Sequence, residues 1–165
     1  MTPWEEIRRA AISPTAALET AFGDPAGQQR ALLARLIAEN AETDFGRAHG
    51  FSAIRSLDDY RAAVPRREAD AFRPFVARIA AGESDVLSRD PVVAFEETGG
   101  TSAGAKLVPY GAAALAAFRA AVLPWLADLA WRRPGVTAGR AHVTISPATR
   151  PPRATAGGLP IGLAS

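Results

Sequence analysis

Apolar side chains recur at helical spacing through most of residues 1–90, which predicts helices joined by short connections. The strongest pattern lies between Gln28 and Glu39, and its apolar stripe consists of Leu32, Leu33, Leu36 and Ile37. Residues 3–22 have similar spacing, but Pro14 interrupts them, so two short helices are predicted there. Residues 69–81 predict a further helix, which Gly82 ends as a C-terminal cap.

The segments between these helices carry turn signals. Residues 43–51 predict a polar loop that Phe45 and Phe51 anchor into a core. Ser56 and Asp59 have the spacing of a capping box, so a short helix is predicted to begin there and to end at Pro65.

The hydrophobic pattern changes at Pro91. Residues 92–95 form an apolar run that is typical of a buried strand, and residues 107–109 predict a second extended piece. A long helix, kinked at Pro124, is predicted from Ala112 to Trp131. It is followed by a turn at 133–135, a strand at 141–145 and a loop at 146–165. We therefore expect an α/β fold in which a mainly helical part, residues 1–90, packs around a small mixed sheet formed within residues 91–165.

Composition limits the classes of function. Apolar residues make up 48% of the chain and charged residues 22%, the balance of a soluble globular protein. The formal charge is +2 and the basic residues are scattered, so no nucleic-acid partner is expected. Cysteine is absent, which excludes disulfides and thiolate metal sites. Among 19 basic residues, Lys106 is the single lysine, and its compact ammonium group differs from a guanidinium in what it can reach.

Signals for export or membrane insertion are weak. The N-terminal residues 1–6 lack the apolar region of a signal peptide. The most apolar stretch follows Gly111, but Arg119 and Asp128 interrupt it, so no run reaches the roughly 18 residues that a membrane span needs. A cytoplasmic location without a membrane partner is expected.

The segment from Thr98 to Lys106 carries the candidate chemistry. It follows a predicted strand, and its glycines let the main chain approach a ligand closely. Successive backbone N–H groups in such a turn form an anion-binding concavity, and hydroxyl and ammonium groups add further donors. These features predict a polyphosphate site formed by Thr98, Gly99, Gly100, Thr101, Ser102, Gly104 and Lys106. A glycine-rich turn without a ligand is the alternative.

Two common phosphate-binding motifs do not fit this segment. A Walker A loop places Gly-Lys-Ser/Thr before a helix, whereas Lys106 stands between Ala105 and Leu107, and Pro109 favours extended chain. The GxGxxG spacing of a dinucleotide-binding turn is also absent.

The loop resembles the phosphate-binding motif of the adenylate-forming superfamily, which runs Thr/Ser, Ser/Gly, Gly, Thr/Ser, Thr/Ser, Gly, any residue, Pro, Lys. Ala103 replaces a glycine of that motif and Ala105 replaces its proline. The positions that match in register are Thr98, Gly99, Gly100, Thr101, Ser102 and Lys106.

Within that superfamily the chain is similar to the auxin-responsive acyl-acid amido synthetases, and we interpret it as a bacterial member. The similarity keeps its order and spacing along nearly the whole chain. Besides the loop it involves Asn40, Thr43 and residues 45–46, 49–51, 59–61, 64–65, 78–79, 82–83, 86–87, 107–109 and 158–162.

The resemblance implies a ligase that uses ATP and Mg²⁺. A small carboxylic acid would attack the α-phosphate, and an amine or amino acid would then take the acyl group, while the loop holds the β- and γ-phosphates. It also implies that residues 1–165 are the N-terminal portion of an adenylation domain, an incomplete fold that lacks its C-terminal part and is inactive alone. The alternative is a non-catalytic nucleotide-binding or interaction module descended from that family.

Three further polar residues have two interpretations each. His49 could act as a catalytic base, but its glycine-flanked position favours a structural hydrogen-bonding role. Glu96 and Glu97 could hold Mg²⁺ beside the loop, but a solvated strand end is favoured. We therefore assign no catalytic residue and no protein ligand to a metal.

Overall fold

The structure, a computed structural model, describes residues 2–98, 106–139 and 153–162. Two compact units are present: a helical unit, Met1–Gln28 with Ala113–Pro147, and a sheet unit, Gln29–Ala112 with Ala148–Ser165. The α-helices of the described residues are α1 (Pro3–Gly23), α2 (Pro25–Glu39), α3 (Asp44–Ala48), α4 (Leu57–Ala63), α5 (Arg73–Ala80) and α6 (Ala112–Arg132). The strands are β1 (Val92–Glu97), β2 (Leu107–Gly111), β3 (Arg153–Ala154) and β4 (Pro160–Ile161).

Helix α1 is continuous, so the prediction of two short helices was wrong. Pro14 lies inside it, and Thr2 begins it with a capping box to Glu5. A proline in a helix frees the carbonyl four residues earlier. Here that carbonyl belongs to Ala10, which is exposed, so water can satisfy it and the helix continues. Ala11, one residue later, is buried.

Helix α6 extends through Pro124 to Arg132, close to its predicted bounds. It is long and apolar enough to cross a membrane by length and composition, so the expectation that no stretch reaches this length was wrong. One such helix is weak evidence for a membrane span, so the finding assigns no membrane location. The turn predicted at 133–135 is the start of a 3-10 helix, Pro134–Ala138, and the strand predicted at 141–145 lies outside the described residues.

The sheet unit contains a four-stranded mixed sheet in the order β2-β1-β4-β3. β1 and β2 are antiparallel, whereas β1 and β4 are parallel with Phe95 opposite Ile161. The expected small mixed sheet is thus present. The tail was predicted as a loop, yet its described part supplies β3 and β4, because the chain returns to pair with the free edge of β1.

Two apolar clusters form the core of the sheet unit. The first contains Ile37, Phe51 and Ile54, so Phe51 is anchored as predicted. The second contains Ile79, Val86 and Phe95, of which Phe95 has no exposed surface. Burial of these side chains fixes β1 against α5.

The segment predicted as a polar loop at 43–51 instead contains α3, which a buried threonine caps. The Thr43 side chain is fully buried; its Oγ1 donates to the Asn40 carbonyl at 2.8 Å and accepts from the Gly46 amide at 2.9 Å. A Cβ on Gly46 would lie 2.0 Å from the Asn40 carbonyl oxygen, so only glycine fits there.

The same turn is bonded to the segment that leads into β1. The backbone amides of Asp44 and Phe45 donate to the carbonyls of Asp85 and Val86, at 2.9 and 3.0 Å. The Asn40 side chain accepts a hydrogen bond from the Arg89 amide at 2.8 Å. Residues of the early family-like signature therefore help to position β1, although they lie far from it in sequence.

Helix boundaries elsewhere follow the local signals. The helix predicted at 28–39 begins earlier, at Pro25, and ends at Glu39. Ser56 and Asp59 form the predicted capping box at the start of α4. The helix predicted at 69–81 is divided at Arg73 into a 3-10 turn, Ala69–Phe72, and α5, since Pro74 favours the first turn of a new helix. Gly82 follows with a φ of 102°.

We predict that Thr43→Val lowers the free energy of unfolding by about 1–3 kcal/mol, because the buried Gly46 amide loses its acceptor. Urea denaturation followed by circular dichroism measures the change. Ser84→Ala, which removes an exposed hydroxyl from the same unit, serves as the control and should change the free energy by less than about 0.5 kcal/mol. An equal effect of the two substitutions would contradict the capping role.

Candidate phosphate-binding site

The predicted loop is closed at its base by an antiparallel hairpin. The ladder between β1 and β2 continues to the pair Glu97 and Leu107. Beyond it, the Thr98 amide donates to the Lys106 carbonyl at 2.9 Å, and the Lys106 amide lies 3.4 Å from Thr98 Oγ1. The two strands predicted on either side of the segment are confirmed, and Thr98 and Lys106, which flank residues 99–105, are held side by side.

Of the predicted site residues, the structure describes Thr98 and Lys106. The other predicted members lie outside the described residues, so their part in a phosphate site stays a prediction: Gly99, Gly100, Thr101, Ser102 and Gly104.

The ammonium group of Lys106 is paired with a carboxylate that sequence reasoning missed. Lys106 Nζ lies 3.0 Å from Oδ1 of Asp70, in the 3-10 turn before α5. The hydrogen bond from Lys106, together with the charge of Arg73, lowers the pKa of the Asp70 carboxyl. Asp70 precedes Lys106 by 36 residues, and no local pattern marks the two as neighbours.

A cleft of about 570 Å³ opens beside this pair. Its walls are mainly apolar and come from the helical residues 69–80 and from β2. The polar side chains among its lining residues are Arg73, Thr98 and Lys106. The hydrogen-bond donors at the base of the loop therefore lie next to an apolar surface.

The last residue of β1 is tied to the tail of the chain. Glu97 forms an ion pair with Arg153 of β3 at 2.8 Å, and its side chain is only 13% exposed. The expected solvated strand end is therefore wrong for Glu97. Because Glu97 directly precedes Thr98, its ion pair with Arg153 restrains the base of the loop from the side of β3.

His49 has the contacts of a structural residue. Its Nδ1 lies 2.9 Å from the Phe45 carbonyl oxygen, and its Nε2 lies 3.2 Å from Arg67 Nη2. The imidazole also stacks on the Phe45 ring with 4.1 Å between centroids. With Nδ1 donating and Nε2 accepting, both ring nitrogens are used, which supports the structural interpretation.

A charged network fastens α3 to α5 in the sheet unit. Arg78 bridges Asp44 and Glu83, with its Nη2 at 2.5 and 2.7 Å from their carboxylate oxygens. The hydrogen bond from Arg78 is the main cause that lowers the pKa of the Asp44 carboxyl. Hydrogen bonds to Glu83 and then to Asp44 raise the pKa of Arg78.

Residues 15–165 match the family model described as the GH3 family N-terminal domain. The chain belongs to the GH3 family. Its membership explains why the early signature, the hairpin and the tail resemble one family in the same order.

Two rice relatives illustrate the similarity. The probable indole-3-acetic acid-amido synthetase GH3.12 of Oryza sativa subsp. japonica is 35% identical over 82 residues, 49% of this chain and 13% of the relative. The probable indole-3-acetic acid-amido synthetase GH3.2 of the same plant is 36% identical over 93 residues, 55% of this chain and 15% of the relative. The chain thus aligns with a small part of each relative.

Solved structures share the fold. A GH3.15 acyl acid amido synthetase matches with a TM-score of 0.76 and 21% identity, covering 90% of this chain and 27% of that one. A complex of AtGH3.15 acyl acid amido synthetase with 2,4-DB matches with a TM-score of 0.74 and 21% identity, covering 93% and 26%. The expected α/β fold and the resemblance to acyl-acid amido synthetases are confirmed.

We predict that Asp44→Asn destabilises the protein near neutral pH and has a smaller effect in acid. Because Arg78 lowers the folded-state pKa of Asp44, this carboxylate stabilises the fold above its unfolded-state pKa of about 3.9 and loses that effect as pH falls through the folded-state value. Urea denaturation of wild type and Asp44→Asn at pH 6 and pH 3 measures both differences.

Asp58→Asn is the matched control, because Asp58 pairs with Arg61 on an exposed surface at 3.5 Å. Such a pair contributes little at either pH. A difference between wild type and Asp44→Asn that is the same at pH 6 and pH 3 would contradict the electrostatic role of Asp44.

Proposed function

We propose that this GH3 chain supplies the phosphate-binding part of an ATP-dependent ligase that joins a small carboxylic acid to an amine or amino acid. The rice relative described above is named a probable indole-3-acetic acid-amido synthetase. Another rice relative, 33% identical over 82 residues, is named a jasmonoyl-L-amino acid synthetase. The matched regions cover 13% and 18% of those two relatives, so the activity of a whole ligase is part of the proposal.

The proposed reaction has two steps. A carboxylate oxygen of the acid attacks the α-phosphorus of ATP, which forms an acyl-adenylate and releases pyrophosphate. The amine nitrogen then attacks the acyl carbon, loses a proton and forms the amide as AMP departs. Donors at the β- and γ-phosphates stabilise the charge that develops on pyrophosphate.

The observation that carries the proposal is the closed base of the hairpin, with the Lys106 ammonium beside it. The Thr98 amide bond to Lys106 brings both loop ends together, so donors in residues 98–106 can converge on one ligand. The Lys106 side chain is 40% exposed, which lets its ammonium group exchange one anion for another. The apolar cleft beside it leaves few competing polar groups.

Mg²⁺ enters the proposal only through ATP. Within the parts of the chain that the structure describes, no group of three or more His, Asp or Glu side chains is placed to hold a metal. Mg²⁺ in such enzymes is bound largely by substrate phosphates and water. That Mg²⁺ has no protein ligand in this chain stays a prediction.

We predict that Lys106→Ala weakens the binding of ATP and of pyrophosphate by at least about tenfold, because a charge-assisted contact to phosphate is lost. Isothermal titration calorimetry of both ligands measures the change. Arg35→Ala removes the same charge from an exposed pair on α2 and is the control with unchanged affinity. Equal affinities of wild type and Lys106→Ala would overturn the phosphate site.

Catalysis has a separate test. In a complete ligase that contains this chain, we expect radioactive pyrophosphate to exchange into ATP when the carboxylic acid substrate is present. Lys106→Ala should lower this exchange rate by at least about tenfold. Binding of ATP without exchange would support the alternative of a non-catalytic nucleotide-binding module. An exchange rate that Lys106→Ala leaves unchanged would remove Lys106 from the reaction.

A further inference from the structure

Asp70 has two cations on one oxygen atom. Lys106 Nζ lies 3.0 Å from Asp70 Oδ1, and Arg73 Nε donates to the same oxygen at 3.2 Å. Asp70 stands in the 3-10 turn Ala69–Phe72, whereas Lys106 precedes the first residue of β2. The hairpin base is therefore bonded, through its lysine, to a carboxylate of the helical segment.

We propose that Asp70 competes with the nucleotide phosphates for Lys106, and that Arg73 retains Asp70 when the lysine is released. This inference rests on the proposed function. An ammonium group has three donors, but two anions that share it lie close to each other and repel, so Asp70 opposes the approach of a phosphate to Lys106 Nζ. A polyphosphate carries more negative charge than a carboxylate, so binding replaces Asp70 with phosphate oxygens at Lys106 Nζ.

Arg73 lowers the cost of this exchange. Once Lys106 turns to a phosphate, the Asp70 carboxylate still accepts the hydrogen bond from Arg73. The carboxylate would thus remain paired and would not be left as an isolated charge beside the bound anion. Asp70 therefore holds Lys106 while the site is empty, and Arg73 holds Asp70 once a phosphate is bound.

Exposure sets the size of the effect. The side chains of Lys106 and Asp70 are 40% and 61% exposed, and solvent-exposed ion pairs are weak. Asp70 therefore reduces phosphate affinity by a modest factor, about two- to fivefold. The pair tunes affinity and does not block the site.

The matched substitution is Asp70→Asn, which keeps the shape of the side chain and removes its charge. We expect it to tighten pyrophosphate binding by about two- to fivefold in titration calorimetry at low salt. In a Lys106→Ala background the gain from Asp70→Asn should fall by at least half, because there is no ammonium group to release. Asp58→Asn, the same charge change in the exposed pair with Arg61, should leave the affinity unchanged.

A second readout follows Lys106 directly. Because the chain has a single lysine, lysine labelled with ¹³C at Cε gives one side-chain signal. Asp70→Asn should shift this signal in the absence of any ligand, and pyrophosphate should move it in wild type as well. Asp70→Ser, which also removes the charge, replaces Asp70→Asn if that variant does not fold.

The outcomes separate the two proposals. If Lys106→Ala weakens pyrophosphate binding but a folded Asp70→Asn binds equally or more weakly than wild type, the competition is overturned while the phosphate site stands. If Lys106→Ala binds like wild type, the phosphate site fails and the competition fails with it. Tighter binding by Asp70→Asn that is undiminished in the Lys106→Ala background would also overturn the role of Lys106 as the contested group.

Discussion

Burial of Phe95 under the sheet is the constraint on which the candidate site depends. This side chain has no exposed surface and packs with Ile79 of α5 and Val86. Its strand ends two residues later, directly before Thr98. Since the ring cannot leave the core without a large loss of buried apolar area, the position from which the loop starts is fixed by packing rather than by the loop itself.

The early signature residues support the same strand indirectly. Asn40 and Thr43 shape a turn whose neighbouring amides bond to residues 85–86, and Asn40 also accepts from Arg89. These bonds join the first helices of the sheet unit to the chain that enters β1. A family-like motif more than fifty residues before the loop therefore supports its geometry through hydrogen bonds to the chain that enters β1, which is a structural reason for a polar, glycine-containing sequence there.

The sequence was informative wherever the cause of a feature lies within a few residues. The capping box of Ser56 and Asp59, the left-handed Gly82 and the apolar run of β1 were all predicted from neighbours in the chain. Pro14 misled because its effect depends on whether Ala10 is exposed. The pairs Asp70–Lys106 and Glu97–Arg153 could not be predicted, because each joins residues far apart in sequence through the tertiary fold.

The sheet unit is discontinuous in sequence, since the chain leaves it after Ala112 and returns at Ala148. Its return is guided by a close passage of main chains: the Gly157 amide donates to the Ala80 carbonyl at 2.8 Å, and a Cβ on Gly157 would lie 2.6 Å from the Gly82 nitrogen. The pairing of β4 with β1 thus depends on the absence of a side chain at Gly157, because a single methyl group there would collide with the main chain at Gly82.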